Sequence, residues 1–253
     1  MTFLGIIPAR YASTRFPAKP LADMLGKPMI QRVYEQVSGL LDDVLVATDD
    51  ERILNTVKAF GGKALMTSPN HKSGTDRCYE AYTLCGKPFD VVVNIQGDEP
   101  FIQPSQIQLI KDCFRKKETQ IATLIKPFSP DDDFEKLFNP NSPKVVINKE
   151  LQAIYFSRSV IPYFRGLHSE KWLKNHTYYK HIGLYAYRSE VLKEITALPP
   201  SALEKAESLE QLRWIENGYV IQTGITEEET IGIDTPEDLE KALQYLLQAN
   251  INL

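Results

Sequence analysis

The sequence predicts an α/β protein: an open, mostly parallel sheet flanked by helices, with an antiparallel layer inserted in its second half. Two observations carry this reading. Continuous apolar runs at 3–7, 44–48, 64–66 and 90–95 alternate with segments of helical periodicity, the pattern of parallel strands covered on both faces. Beyond residue 125 the alternation gives way to an Asp-, Pro- and Asn-rich stretch over 128–143, then to paired strand patterns at 145–148 and 153–156 that turn at Lys149-Glu150. We read 1–253 as a single domain and about 128–188 as the inserted layer.

The elements follow in order. Residues 3–7, ended by Pro8, form the first strand; the apolar stretch lacks the preceding positive flank of a signal peptide. After Gly26-Lys27-Pro28, the spacing of Met29, Val33, Val37, Leu40 and Leu41 predicts a helix, with Pro28 suited to its start. Ile53, Leu54, Val57 and Phe60 mark a second helix, stopped at Gly61-Gly62. Helices are expected after Ser73-Gly74-Thr75, over 104–117 and over 203–216, with strands at 121–125, 182–187 and 219–223. A last helix starts at Pro236, capped by Thr235 with Asp238 three residues on.

Composition narrows the function classes. Lysine and arginine number 29 against 33 acids, a net charge of -4, which argues against nucleic acid as a partner. Cys78, Cys85 and Cys113 form no CxxC pair and read as reduced thiols in a reducing compartment. No apolar run approaches the ~20 residues of a membrane span. His71, His168 and His176 show no metal-ligand spacing, and Trp172 and Trp214 read as packing residues.

In open α/β sheets ligands bind beyond the carboxyl ends of the strands. There, after the first strand, Arg10, Arg15 and Lys19 lie in a loop of small, hydroxyl and proline residues, suited to a polyphosphate. The plain alternative is a solvated basic loop. Neither GxxxxGK[ST] nor GxGxxG follows the strand, so this is no Walker loop and no dinucleotide fingerprint. After the fourth strand, Gln96-Gly97-Asp98-Glu99-Pro100 puts acids where magnesium could bind, and Asp234 precedes the last helix. Taken singly, these acids fit a turn and a helix cap.

These segments belong to a longer ordered set. Pro8-Ala9-Arg10 with Arg15, Pro17 and Lys19 resembles the signature of sugar nucleotidyltransferases. Arg10-Tyr11-Ala12-Ser13-Thr14-Arg15, Ser73-Gly74-Thr75-Asp76-Arg77, Gln96-Gly97-Asp98-Glu99-Pro100, Tyr155-Phe156-Ser157-Arg158, Leu209-Glu210-Gln211-Leu212-Arg213 and Asp234-Thr235-Pro236-Glu237-Asp238 follow one another. Together, over nearly the whole chain, they resemble the 3-deoxy-manno-octulosonate cytidylyltransferase (CMP-Kdo synthetase) family. The resemblance implies a nucleotide-diphospho-sugar transferase-like fold. It implies conversion of CTP and Kdo to CMP-Kdo and pyrophosphate for bacterial lipopolysaccharide, in the cytoplasm, by a homodimer. It also implies catalytic Arg10, Lys19, Asp98 and Asp234, with Mg2+ on the two aspartates. Pro8, Ala9, Arg10, Arg15, Lys19, Ser73 and Arg77 would bind the nucleotide. Gln96, Arg158, His181, Tyr185, Glu210 and Gln211 would bind the sugar. Plain alternatives stand beside the last set: a surface cation for Arg158, core residues for His181 and Tyr185, a solvated helix face for Glu210 and Gln211. The family usually has glycine before the lysine where this chain has Ala18, so either φ is negative there or the loop differs slightly. Another acidic sugar (8-amino-Kdo or sialic acid) and a catalytically silent sugar-nucleotide sensor are the rival readings. The apolar, aromatic stretch Ile154-Tyr155-Phe156 with Val160-Ile161-Pro162-Tyr163 marks the expected dimer surface, unless it packs on its own sheet.

Overall fold

A computed structural model describes residues 1–12, 15–229 and 232–249. Its elements in chain order are β1 (Phe3–Ala9), α1 (Met29–Val37), β2 (Asp43–Thr48), α2 (Glu51–Ala59), β3 (Ala64–Met66), α3 (Gly74–Cys85), β4 (Val91–Asn94) and α4 (Pro104–Cys113). There follow β5 (Ile121–Pro127), α5 (Phe134–Phe138), β6 (Lys144–Ile147), β7 (Ala153–Ser157), α6 (Trp172–Asn175), β8 (Tyr179–Arg188), α7 (Ser189–Thr196), α8 (Ala202–Glu207), α9 (Gln211–Glu216), β9 (Ile221–Ile225) and α10 (Pro236–Ala249). Two compact units result: residues 1–108, 186–196 and those described from 232 on, and residues 109–185 with 197–229. Among the described residues no helix is long and apolar enough to cross a membrane.

The first unit holds the parallel strands in the order β3-β2-β1-β4. Leu4, Ile6 and Ile7 of β1 and all three valines of β4 are fully buried, each contributing about 1.5–3 kcal/mol of burial free energy. Register fixes where the strands end: Ile6 faces Asn94 and Ala9 faces Thr48, so the carboxyl ends of β1, β2 and β4 open on one side. Helix ends follow local chemistry. Asp50 and Ser73 accept hydrogen bonds from the backbone N–H of Arg52 and Asp76, capping α2 and α3. Thr235 and Asp238 exchange side-chain and backbone hydrogen bonds at the start of α10, the expected box. Helix α1 stops at Val37, short of the expected Leu40 and Leu41, because Gly39 turns the chain at φ 85°. Met24, Met29, Phe101, Ile233, Ala242 and Leu246 form a buried cluster joining α1 and α10 to the loops beside them.

In the second unit β5 pairs with β9 in parallel, β6 pairs antiparallel with β7 and β8, and β8 neighbours β5. Two expectations are corrected here. The stretch expected as loop over 128–143 contains α5, which Asp133 caps through the N–H of Glu135. The single helix expected over 203–216 is two, since Ser208 takes the left-handed conformation at φ 52° and breaks the ladder between α8 and α9. Arg213 then forks back onto Glu204 at 2.6 and 2.8 Å and joins the two pieces. Helix α7, in the first unit, was not expected, although buried Val191, Leu192 and Ile195 carry helical spacing. Trp172 packs with Phe128, Leu137, Leu173 and Tyr178, as a packing residue should.

His181 lies inside this unit, 3.1 Å from the Thr123 hydroxyl, edge-on to Phe156 and tilted against Tyr185. Desolvation pushes its pKa down to about 4, so it is neutral at physiological pH. An unfolded chain takes up that proton near pH 6.5, hence stability falls as pH drops from about 6.5 to about 4 and then levels off. His181 keeps part of its surface open, so we expect a loss of roughly 1–2 kcal/mol over that window, less than the full linkage value. Urea denaturation of wild type and His181→Gln between pH 4 and 7 measures it; equal pH slopes in the two proteins would refute the assignment.

Candidate active site

A pocket of about 240 Å³ opens at the carboxyl ends of β1 and β4, wholly within the first unit. Pro8, Ala9, Arg10, Arg15, Lys19, Pro20, Gln96, Gly97, Asp98 and Asp234 line it. The loop after β1 is held by its own backbone. The Ala18 N–H donates to the Tyr11 carbonyl at 3.0 Å, and residues 19–21 make one tight helical turn closed by Leu21 N–H on Ala18 at 2.8 Å. Ala18 sits at φ 60°, ψ 17°, so the option of a negative φ is excluded: alanine occupies the left-handed conformation that glycine favours. The turn after β4 passes close to β1. A Cβ on Gly97 would lie 3.1 Å from the Pro8 carbonyl oxygen, which only glycine avoids.

The acids converge from distant parts of the chain. Asp98 lies in the turn just beyond β4, after Ile95, Gln96 and Gly97, whereas Asp234 is brought beside it by the backbone bond from Ile233 N–H to the Asp98 carbonyl at 2.9 Å. Asp238 steadies it by accepting from the N–H groups of Asp234 and Thr235. Asp234 follows the short apolar run Ile231-Gly232-Ile233 in the sequence, of which Ile231 lies outside the described residues. Lys19 Nζ donates to Asp98 at 2.6 Å and to Asp234 at 3.4 Å, and Arg15 reaches both oxygens of Asp234 at 3.2 and 3.3 Å. Arg10 makes no ion pair among the described residues, although it faces the same pocket. Glu99, named in the sequence only as the second acid, proves distinct from Asp98. Its Oε2 is buried without a partner among the described residues, and burial, then the charge of Asp98, push its pKa up to about 8.

Ser73 and Arg77 lie outside the pocket lining. Ser73 caps α3, whose first residue, Gly74, abuts Pro8, with 3.4 Å from a Cβ built there to the proline ring. Arg77 is buried and donates to Thr67 at 2.6 Å and Asp49 at 2.7 Å, tying together the ends of β2 and β3. The remaining sugar candidates except Gln96 lie in the second unit. Tyr185 stands between His181 and Trp214, at 5.2 Å from each ring. Gln211 is buried with Nε2 unpartnered among the described residues, and Glu210 approaches Arg213 at 3.4 Å. Arg158 gives each guanidinium nitrogen to a backbone carbonyl: Nε to Glu207 at 2.6 Å, Nη1 to Pro140 at 2.9 Å, Nη2 to Ser208 at 3.3 Å. Side-chain burial of this kind has no signature in a single sequence.

A cationic loop and paired carboxylates at the open end of a parallel sheet define a nucleotidyltransferase, and the cytidylyltransferase family model matches residues 4–231. Named relatives narrow the class. A 3-deoxy-manno-octulosonate cytidylyltransferase of Parabacteroides distasonis is 73% identical over 97% of this chain and 98% of its own length. One of Porphyromonas gingivalis is 59% identical over 96% of both chains. A solved CMP:2-keto-3-deoxy-manno-octonic acid synthetase complexed with CTP superposes with a TM-score of 0.89 at 42% identity, covering 98% of this chain and 100% of its own. The chain belongs to the 3-deoxy-manno-octulosonate cytidylyltransferase family. A glucose-1-phosphate thymidylyltransferase of Bacillus anthracis, at 19% identity and a TM-score of 0.65 over 100% of this chain and 97% of its own, shares the fold.

The left-handed Ala18 carries a testable cost. Glycine relieves a strain of about 1–2 kcal/mol there but gives back some 0.4–1 kcal/mol in unfolded-chain entropy. Ala18→Gly is therefore expected to stabilise the protein by a few tenths to about 1 kcal/mol, read as a raised midpoint in urea. A lowered midpoint would show that the loop does not hold this conformation in solution.

Proposed function

We propose that this chain transfers a cytidylyl group from CTP to 3-deoxy-D-manno-octulosonate. The sugar's anomeric hydroxyl oxygen bonds to the α-phosphorus as its proton passes to solvent, the bond from that phosphorus to the β-phosphate bridge breaks, and CMP-Kdo and pyrophosphate form. The observation that carries this is the convergence of Arg10, Arg15 and Lys19 with Asp98 and Asp234 on one pocket. The cations neutralise the triphosphate and stabilise the charge that grows on departing pyrophosphate. Pro8 and Ala9 offer backbone groups to the base, with the start of α3 as a neighbouring wall.

A divalent ion suits the two aspartates. Both carboxylates already reach a single ammonium nitrogen, and magnesium characteristically takes one or two carboxylates together with phosphates and water. When bound, magnesium would lower the pKa of the attacking hydroxyl and stabilise charge on the transferring group. Gln96, His181, Tyr185, Glu210, Gln211 and Arg158 remain the proposed partners of the sugar. Neutral His181 and buried Gln211 suit a polyhydroxylated ligand because each offers an uncharged hydrogen-bonding group.

We also read the enzyme as a cytoplasmic homodimer serving lipopolysaccharide assembly. Three free thiols support the compartment. Ile154, 55% exposed, and Tyr163, 73% exposed, support a partner surface on the second unit. Sedimentation at micromolar concentration should give a dimer, and a monomer would reject this surface.

Activity is tested by pyrophosphate release with CTP, UTP or ATP and a panel of acidic sugars in magnesium. Turnover should require CTP, Kdo and the metal. Asp98→Asn, folded by circular dichroism, should lose at least a hundredfold in kcat, about 2.7 kcal/mol of transition-state stabilisation. Undiminished turnover in excess chelator, or in Asp98→Asn, would overturn the metal assignment.

A further inference from the structure

The position suited to a divalent ion is filled by the protein itself. Lys19 Nζ stands 2.6 Å from Asp98 and 3.4 Å from Asp234, and the lysine side chain is only 15% exposed. Arg15 holds the other carboxylate oxygen of Asp234 as well as the one Lys19 approaches. A metal that joined these carboxylates while the ammonium stays on Asp98 Oδ2 and Asp234 Oδ1 would set two cations close together, which their repulsion opposes. The backbone of Lys19 is fixed by the tight turn it begins, whereas its four-carbon stem carries rotatable bonds through which the ammonium can change partner.

We propose that Lys19 is a built-in counter-cation that blocks the metal position in the free enzyme and leaves it only when phosphate oxygens are offered in exchange. This rests on the magnesium reading above and adds an order to it. Without nucleotide, a divalent ion must displace an ion pair and strand a lysine in a largely enclosed place, so it binds weakly. With a triphosphate in the pocket, Lys19 and Arg15 turn to phosphate oxygens and release both aspartates together. Nucleotide and metal therefore bind with positive coupling through the protein, beyond the affinity of the metal for phosphate, and the coupling is reciprocal. The same exchange delivers Lys19 to the leaving group only in the complex that also carries the metal. A permanent structural ion pair, in which Lys19 never leaves Asp98, is the competing account.

The test is Mn2+ binding to the whole protein without nucleotide, followed by the paramagnetic signal of free Mn2+. Lys19→Met keeps the length of the side chain and removes its charge, and Lys19→Gln repeats the change with a polar group; thermal melts confirm that each folds. Removing one partner of a charge-assisted pair frees enough interaction for a roughly tenfold to hundredfold gain in Mn2+ affinity over wild type. Asp98→Asn added to Lys19→Met should abolish that gain. Equal or weaker Mn2+ binding in both lysine variants overturns the proposal. So does a gain that survives Asp98→Asn, which would place the ion elsewhere. If the lysine variants gain nothing while wild-type turnover still needs the metal and fails in Asp98→Asn, the magnesium reading stands and only the blocking role of Lys19 falls. If turnover needs no metal, both fall together.

Discussion

A backbone hydrogen bond from the N–H of Ile233 to the carbonyl of Asp98 sets the two aspartates of the site side by side. It fastens the segment that follows the second unit to the turn that ends β4. Ile233 is fully buried in the cluster with Met24, Met29 and Phe101, so water cannot readily compete for the bond, and breaking it would leave buried polar groups unpaired. The position of Asp234 depends on it. Asp234 comes within reach of Arg15 and Lys19 because its neighbour is pinned to Asp98, and Asp238 then fixes its backbone from the other side.

Charge in the pocket runs against charge in the whole chain. The protein carries a net -4, yet the lining sets Arg10, Arg15 and Lys19 against Asp98 and Asp234. The excess of one cation is small by itself. Its effect grows in a concave site where field lines are focused and the surroundings are less polar than water. An anion is drawn there while the rest of the surface remains repulsive to polyanions such as nucleic acid. Glu99 adds no negative charge to this balance at neutral pH, because its burial keeps it protonated up to about pH 8.

Much of this was legible in the sequence, for identifiable reasons. Strands of the first unit are short apolar runs with no competing helical period, and Ser73 and Thr235 stood where helices were expected to begin; the cap that Asp50 makes on α2 was not read. That the basic loop and Asp98 would meet at one edge was legible because strand order places whatever follows β1 and β4 there. Less was visible where a conformation opposes the side chain that adopts it. Nothing about alanine or serine signals the left-handed turns at Ala18 and Ser208, and the second of these split a helix that reads as one. Arg77 and Arg158 were read as contacts for ligands. In the structure both also bond to protein groups that the sequence did not reveal, buried Arg77 to two side chains and Arg158 to three carbonyls, because an arginine's protein partners come from elsewhere in the chain. Glu99 escaped notice because desolvation is a property of neighbours that arrive from elsewhere in the chain.

The division of the chain has a consequence for how the enzyme is made. Its first unit is interrupted, and Ile233, Ala242 and Leu246, a share of its buried cluster, lie beyond the whole of the second unit. A ribosome releases residues at about 5–20 per second, and domains ordinarily fold as they emerge. Here the nascent parallel sheet must wait, with Met24, Met29 and Phe101 uncovered, until the final helix leaves the exit tunnel. Asp234, one of the two paired carboxylates, arrives in that same late segment, so an unfinished chain can hold the basic loop after β1 but not the complete candidate site.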